Sequence, residues 1–235
     1  MERFSIRDAP PIGTKVVTVV VGTEPELEDF TVHEELLRRS SDFFNAALNN
    51  DWAEAGERLI RLPTGQPASF YIYVQWLYSA RLFSKGTLSQ ATSSTAGNNQ
   101  EWTSLIQCYF LANYLQDVDF KDTLMDALMQ WTAEVPQLNR NATVVSAKEI
   151  YDNTEDGSPL RKFFVDLSVW KVEGSVWENE EGATLPYDFL RAVTIGLSRR
   201  LQPGQTLQDV IDEKNGTCHY HAHGNNPCYK SKSPR

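Results

Sequence analysis

Three short runs within the first 63 residues of the chain predict strands. The first, KVVTVVVG at 15–22, is continuous and ends at a glycine, which is typical of a strand buried on both faces. FTVH at 30–33 follows after one turn, and the two runs together predict a β-hairpin. ERLIRLP at 57–63 alternates between two faces and predicts a third strand.

The hydrophobic period becomes helical between the second and third runs. In HEELLRRSSDFFNAAL, residues 33–48, the apolar positions fall on neighbouring turns, as a helix with one buried side requires. The serine pair inside it predicts a break into two short helices. ASFYIYVQWLYSA, residues 68–80, is apolar nearly all round. Such a helix is either buried on every side or docked against a partner.

The second half of the chain is predominantly helical in pattern. Residues 84–100 are rich in Ser, Thr, Gly and Asn and predict a flexible loop. Apolar residues at helical spacing over 102–115 and 120–131 then predict a helical hairpin, with Asp119 as the cap of its second helix. Weaker periodic stretches near 160–167 and 186–199 predict a mostly helical extension over 134–217. The succession of elements predicts an α+β fold, with a small mixed sheet and clustered helices.

Composition and charge narrow the function classes. The chain has 235 residues, of which 41% are hydrophobic, and a formal net charge of −9. An acidic surface repels the phosphate backbone, so no nucleic acid is expected as a partner. No apolar run has the length of a membrane span, and the charged start MERFSIRDAPPIG does not resemble a signal peptide. Together with only three cysteines, this predicts a cytoplasmic or nuclear protein that does not enter membranes.

Residues 15–133 resemble the BTB/POZ domain, in the form common in fungal proteins. The resemblance rests on ordered motifs: the first apolar strand, F-x-V-H before a Leu-Leu helix, S-x-F-F-x-A-A-L, W-x-E-A, a strand that ends in Leu-Pro, and W-L-Y-S-A-R-L. The stretch LIQCYFLANYLQDVDFKDTLMDALMQW resembles the helical hairpin that closes such domains. The resemblance implies a small mixed sheet, clustered helices and this hairpin.

The resemblance also implies a function, that of a protein–protein interaction module that associates with itself as a homodimer or recruits partners. One family role is that of a substrate adaptor for a cullin-based ubiquitin ligase. Asn99 stands two positions before Glu101, where cullin-binding relatives often have an apolar residue, and Lys15-Val16 stands where many animal members carry an Asp of the dimer pocket. The residues predicted to serve interaction are Leu36, Leu37, Phe43, Phe44, Tyr73, Trp76 and Tyr78.

No catalytic motif accompanies these features. The chain lacks a P-loop, a Rossmann glycine fingerprint, a G-x-S-x-G elbow and an H-E-x-x-H pair, so no enzymatic activity, catalytic residue or small-molecule substrate is expected. Cys108 lies on an apolar helix and is predicted to be a buried thiol. His33 is predicted to bond to backbone at a strand–helix junction. Asp117, together with Asp119, Asp122 and Asp126, is predicted to form a solvated helix face.

A cluster of histidines and cysteines near the end of the chain raises a separate hypothesis. CHYHAHGNNPCY contains Cys218, His221, His223 and Cys228, two thiols and two imidazoles that together suit tetrahedral zinc. The alternatives are a structural zinc site and an incidental cluster in a tail over 218–235. A metal-dependent enzyme built on this tail is a third hypothesis, but four protein ligands leave no open position for a substrate.

Overall fold

In a computed structural model, the chain is described over residues 12–49, 58–85, 94–134, 140–172, 177 and 185–200. The tail at 218–235, with its four predicted zinc ligands, lies outside the described residues.

A three-stranded mixed sheet forms the first layer. Its strands are β1 (Val16–Val21), β2 (Glu28–His33) and β3 (Leu59–Leu62), in the order β2-β1-β3. β1 pairs with β2 antiparallel, which confirms the predicted hairpin, and with β3 parallel. β1 is buried on both faces from Val19 to Val21, whereas Val16 at its start is 42% exposed.

Helices cover the sheet and fill the rest of the described chain. The first two, α1 (Glu34–Ser40) and α2 (Asp42–Ala47), are separated at Ser41 as the serine pair predicts. Ser41 accepts a hydrogen bond from the Phe44 backbone N–H, the interaction of an N-terminal cap. The later helices are α3 (Pro67–Ser79), α4 (Ser94–Leu115), α5 (Val118–Glu134), α6 (Arg140–Asn153), α7 (Pro159–Lys171) and α8 (Tyr187–Arg200). The fold is therefore α+β, as predicted.

Two local predictions differ from the structure. α4 begins at Ser94, so the last residues of the stretch predicted as a loop, 84–100, are helical. The cap of α5 is Asp117 and not Asp119, because α5 starts at Val118 and the Asp117 carboxylate accepts the Phe120 backbone N–H at 2.9 Å. The two aspartates are two residues apart, and the helix start decides which of them serves.

One hydrophobic core runs from the sheet into the C-terminal helices. β1, α3, α4 and α5 bury most of it, and α6, α7 and α8 add side chains to the same cluster. Trp102 on α4 stands between the two parts: its ring lies 4.8 Å from that of Trp131 and 6.3 Å from that of Phe164. Within the part of the chain that the structure describes, every helix is too short or too polar to cross a lipid bilayer.

Candidate protein-interaction surface

The aromatic helix α3 combines a buried face with an exposed one. Phe70 and Tyr73 are fully buried, and Phe70 packs edge-on against Phe30 of β2 at 5.0 Å. Tyr71 and Tyr78 are 46% and 44% exposed, and a separation of seven residues places them on the same side of the helix. Of the two alternatives that the all-round apolar pattern left open, burial on every side is therefore wrong, and docking against a partner stays a prediction.

The seven residues predicted to serve interaction divide by burial. Leu36, Leu37, Phe44 and Tyr73 are buried, and the last three belong to the core cluster that the sheet shares with α4. Phe43 and Trp76 are half-buried and packed against that core. Tyr78 is exposed. Of these seven residues, Tyr78 and the exposed parts of Phe43 and Trp76 can therefore contact another protein.

A second aromatic pair lies where α2 meets α4. The Phe43 ring lies 5.1 Å from that of Tyr114, which is 49% exposed. Neither Tyr114 nor Tyr71 was among the residues predicted for interaction. Tyr114 lies off the apolar stripe of its helix, which is a sequence signal of an exposed ring, whereas Tyr71 lies on a helix that is apolar nearly all round and gives no such signal.

A buried carboxylate joins the helices behind this surface. Asp117, at the turn between α4 and α5, is fully buried, which corrects the prediction of a solvated aspartate; Asp119, Asp122 and Asp126 are exposed. The Asp117 carboxylate accepts hydrogen bonds from the Ser40 hydroxyl of α1 at 2.5 Å and from the Tyr73 hydroxyl of α3 at 2.9 Å. With the Phe120 backbone N–H, three donors from three segments meet at one side chain.

Burial governs the ionisation of this cluster. Loss of water raises the pKa of Asp117 above its ordinary value, although its three hydrogen bonds act in the opposite direction. Burial, and then the nearby Asp117 charge, raise the pKa of Tyr73 well above its ordinary value. The Tyr73 hydroxyl consequently keeps its proton at neutral pH. It donates a hydrogen bond to Asp117, which links α3 to the turn between α4 and α5.

His33 contacts the exposed edge of α3. Its Nδ1 lies 2.6 Å from the Tyr78 hydroxyl, and its backbone N–H donates to the same hydroxyl at 3.2 Å. The sequence predicted a backbone partner for this ring, and that prediction is wrong, because the ring meets a tyrosine 45 residues away in sequence. The contact holds the Tyr78 ring against the end of β2, with the rings at 72°.

The remaining candidate groups are placed as follows. Cys108 is fully buried, as predicted, and burial raises the pKa of its thiol to about 12. A neutral, enclosed thiol lacks the electropositive, partly exposed setting of a reactive cysteine. Among the residues that the structure describes, no three His, Cys, Asp or Glu side chains gather as a metal site.

The chain was also compared with known proteins. Neither a scan against protein-family models nor a search of curated proteins finds a match.

Proposed function

We propose that this chain is a non-enzymatic protein–protein interaction module with a BTB/POZ-type domain over residues 15–133, which associates with itself, recruits partner proteins, or does both. The observation that carries the proposal is the exposed side of α3. Tyr71 and Tyr78 are 46% and 44% exposed, on a helix whose other aromatic side chains are buried in the core or packed against it. Tyrosines are enriched at the centres of protein interfaces, because the ring buries apolar area and the hydroxyl still finds a partner.

The arrangement of the elements supports the same proposal. The resemblance implies a small mixed sheet, clustered helices and a closing helical hairpin. The described chain has an antiparallel and a parallel pairing around one central strand, and α4 and α5 pack together as a hairpin across the Asp117 turn.

Rigidity at the surface favours binding as well. Tyr78 is fixed by His33, and Tyr73, on the opposite side of the helix, is fixed by Asp117. A side chain that is already held in one rotamer loses less conformational entropy when a partner covers it.

Light scattering of the full chain over a range of concentrations tests self-association. The monomer mass is 26.7 kDa, and we expect a larger mass that decreases on dilution. Tyr71→Glu should shift the equilibrium towards monomer, because it places a charge in the interface. Tyr187→Glu, at a 77% exposed position on α8, is the matched control and should leave the mass unchanged.

A charge reversal on α1 tests which face is used. Glu35→Lys together with Arg39→Glu changes two exposed positions of the helix that carries Leu36 and Leu37, and we expect this pair to weaken assembly. A strict monomer at every concentration, combined with no partner recovered by crosslinking, would contradict the proposal.

A further inference from the structure

The outer edge of β2 has no neighbouring strand in the described part of the chain. β2 lies at one end of the sheet, whose order is β2-β1-β3. The Glu34 backbone N–H, just after β2, donates to the Lys15 carbonyl, just before β1. Because the backbone groups of successive residues in an antiparallel strand point to opposite sides, those of His33, Thr31 and Asp29 point away from β1.

The Tyr78 hydroxyl closes one end of this edge. It accepts a hydrogen bond from the His33 backbone N–H at 3.2 Å, which confirms that this N–H points outward. Asp29 and Thr31 are exposed. Their backbone N–H and C=O groups are therefore positioned to pair with one further short strand, which is how an exposed sheet edge binds an extended segment.

The edge of β2 is strongly acidic. Residues 16–37 contain six acidic residues and no Lys or Arg. Four of the six are exposed side chains on β2 and on the turn before it, namely Glu24, Glu26, Glu28 and Asp29. Charged side chains at a sheet edge oppose pairing with most other strands. A basic segment is the exception, because opposite charges on neighbouring strands stabilise the pair.

The chain itself contains a segment of the opposite charge, here named the basic block and defined as residues 214–235. It contains four Lys and Arg residues and no Asp or Glu, although the whole chain has a net charge of −9. The block lies outside the described residues. Its sequence YKSKSPR has Lys230 and Lys232 two positions apart, so an extended segment carries both amines on one face. Asp29 and Thr31 have the same spacing on β2.

The length of chain between α8 and the basic block is sufficient for this contact. Lys230 comes 30 positions after Arg200, the last residue of α8, and that many residues span at most about 100 Å. A domain of this size has a radius of gyration of about 18 Å, so the edge of β2 is within reach. A linker that spans its two sites gives the second an effective concentration in the millimolar range, which is above that of a second copy in dilute solution.

We infer that the basic block pairs with the outer edge of β2 in its own chain. Lys230 and Lys232 lie beside the acidic side chains, and the backbone of the block bonds to that of Asp29 and Thr31. The charges select the basic block over other segments, and the open backbone groups give it a defined position. The contact covers an edge at which another chain could otherwise add a strand.

Amide hydrogen exchange in the full-length chain, followed by NMR, tests the pairing. The variant Lys230→Glu together with Lys232→Glu is here named the block variant. We expect it to speed exchange at the Thr31 amide about tenfold, because the added strand leaves the edge. The Val32 amide, which faces β1 by the same alternation, is the internal control and should exchange at the natural rate.

Two further changes control for charge. Lys162→Glu together with Lys171→Glu makes the same change at two exposed positions of α7 and should leave exchange at Thr31 unchanged. Glu28→Lys together with Asp29→Lys reverses the edge and should speed exchange at Thr31 as the block variant does. Combining this edge change with the block variant should restore slow exchange, because the opposite charges again lie on neighbouring strands.

Crosslinking distinguishes a contact within one chain from a contact between copies. A carbodiimide couples a Lys amine to a carboxylate that touches it, and a mixture of isotope-labelled and unlabelled chains gives mixed products only where two copies meet. We expect Lys230 or Lys232 to be coupled to residues 24–29 in products of one isotope. Three results would each overturn the inference: exchange at Thr31 that is as fast in the natural chain as in the block variant, no restoration by the combined changes, or crosslinks between copies alone.

Discussion

α4 takes part in two junctions that differ in whether several donors share one acceptor. At its carboxyl end, the Asp117 carboxylate accepts hydrogen bonds from α1, α3 and the start of α5. Along its length, side chains contact the C-terminal helices in separate hydrogen bonds: the Trp102 indole donates to the Ser146 hydroxyl at 2.9 Å, the Tyr109 hydroxyl lies 3.2 Å from that of Ser158, and the Gln107 amide donates to the half-buried Glu149 carboxylate.

The junction at Asp117 has one shared acceptor, whereas the contacts along α4 are independent pairs. One buried charge that serves three donors makes those donors depend on each other, because its loss leaves all of them without an acceptor. Separate pairs are lost one at a time, and each loss costs only its own hydrogen bond. We therefore expect the junction at Asp117 to be the more cooperative of the two and the more sensitive to pH.

Removal of the shared acceptor should have the largest effect. Asp117→Ala deletes the cap of α5, a loss of about 1 kcal/mol, and leaves the buried Tyr73 hydroxyl and the half-buried Ser40 hydroxyl without their acceptor. We expect unfolding in urea to show a decrease of about 3 kcal/mol in the free energy of unfolding. The control is Asp119→Ala, an exposed position in the first turn of the same helix, which should change stability by less than about 0.5 kcal/mol. Equal effects from the two variants would contradict the shared-acceptor account.

The second-largest difference between the two junctions should be in how their stability depends on pH. The pKa of Asp117 is raised above the ordinary value of 3.8 in the folded chain. At a pH between the ordinary pKa and the raised one, the folded state keeps a proton on Asp117 that the unfolded state has lost. The free energy of unfolding therefore falls as pH rises. This stabilisation is fully present below pH 3.8 and is lost as the pH rises through the pKa that Asp117 has in the folded chain.

Urea denaturation of the natural chain and of Asp117→Asn, from pH 4 upward, measures this. We expect the natural chain to lose stability relative to the variant as pH rises, because other carboxyl groups titrate in both proteins and cancel. A difference that stays constant over this range would show that burial does not govern the Asp117 proton.

A neutral pair should cost less than the shared carboxylate. Ser146→Ala leaves the indole N–H of Trp102, a residue that is 1% exposed, without its acceptor, and we expect a loss of about 1–2 kcal/mol in the free energy of unfolding. Lys148→Ala on the same helix removes only an exposed ion pair with Asp152 and should cost about 0.5 kcal/mol or less. A loss at Ser146 as large as that at Asp117 would remove the distinction between the junctions.

Sequence patterns predicted the elements of both junctions but not the junctions themselves. Strands and helices follow from local periodicity, so β1, the break at Ser41 and the hairpin of α4 and α5 were predictable. The role of Asp117 was not, because four aspartates lie close together at 117, 119, 122 and 126 and nothing in the sequence beside them shows which one is buried. Its burial depends on Ser40 and Tyr73, which are 77 and 44 residues away. Likewise, nothing local to His33 indicates Tyr78 as its partner.

The smallest effect is expected from metal removal. The hypothesis of a zinc site at Cys218, His221, His223 and Cys228 concerns a segment outside the described residues, whereas both junctions and the continuous core lie within residues 12–200. That core is stabilised by buried apolar surface, so a chelator should shift the thermal midpoint by no more than about 1 °C, whether the tail binds zinc or not. Elemental analysis of protein purified without a His-tag measures the metal itself. A content near one equivalent that Cys228→Ser abolishes would establish the site, and a content well below one equivalent that this variant leaves unchanged would show an incidental cluster. A large loss of stability on chelation would instead show that a metal contributes to the core, and the two junctions of α4 would then no longer account for how the helices are held together.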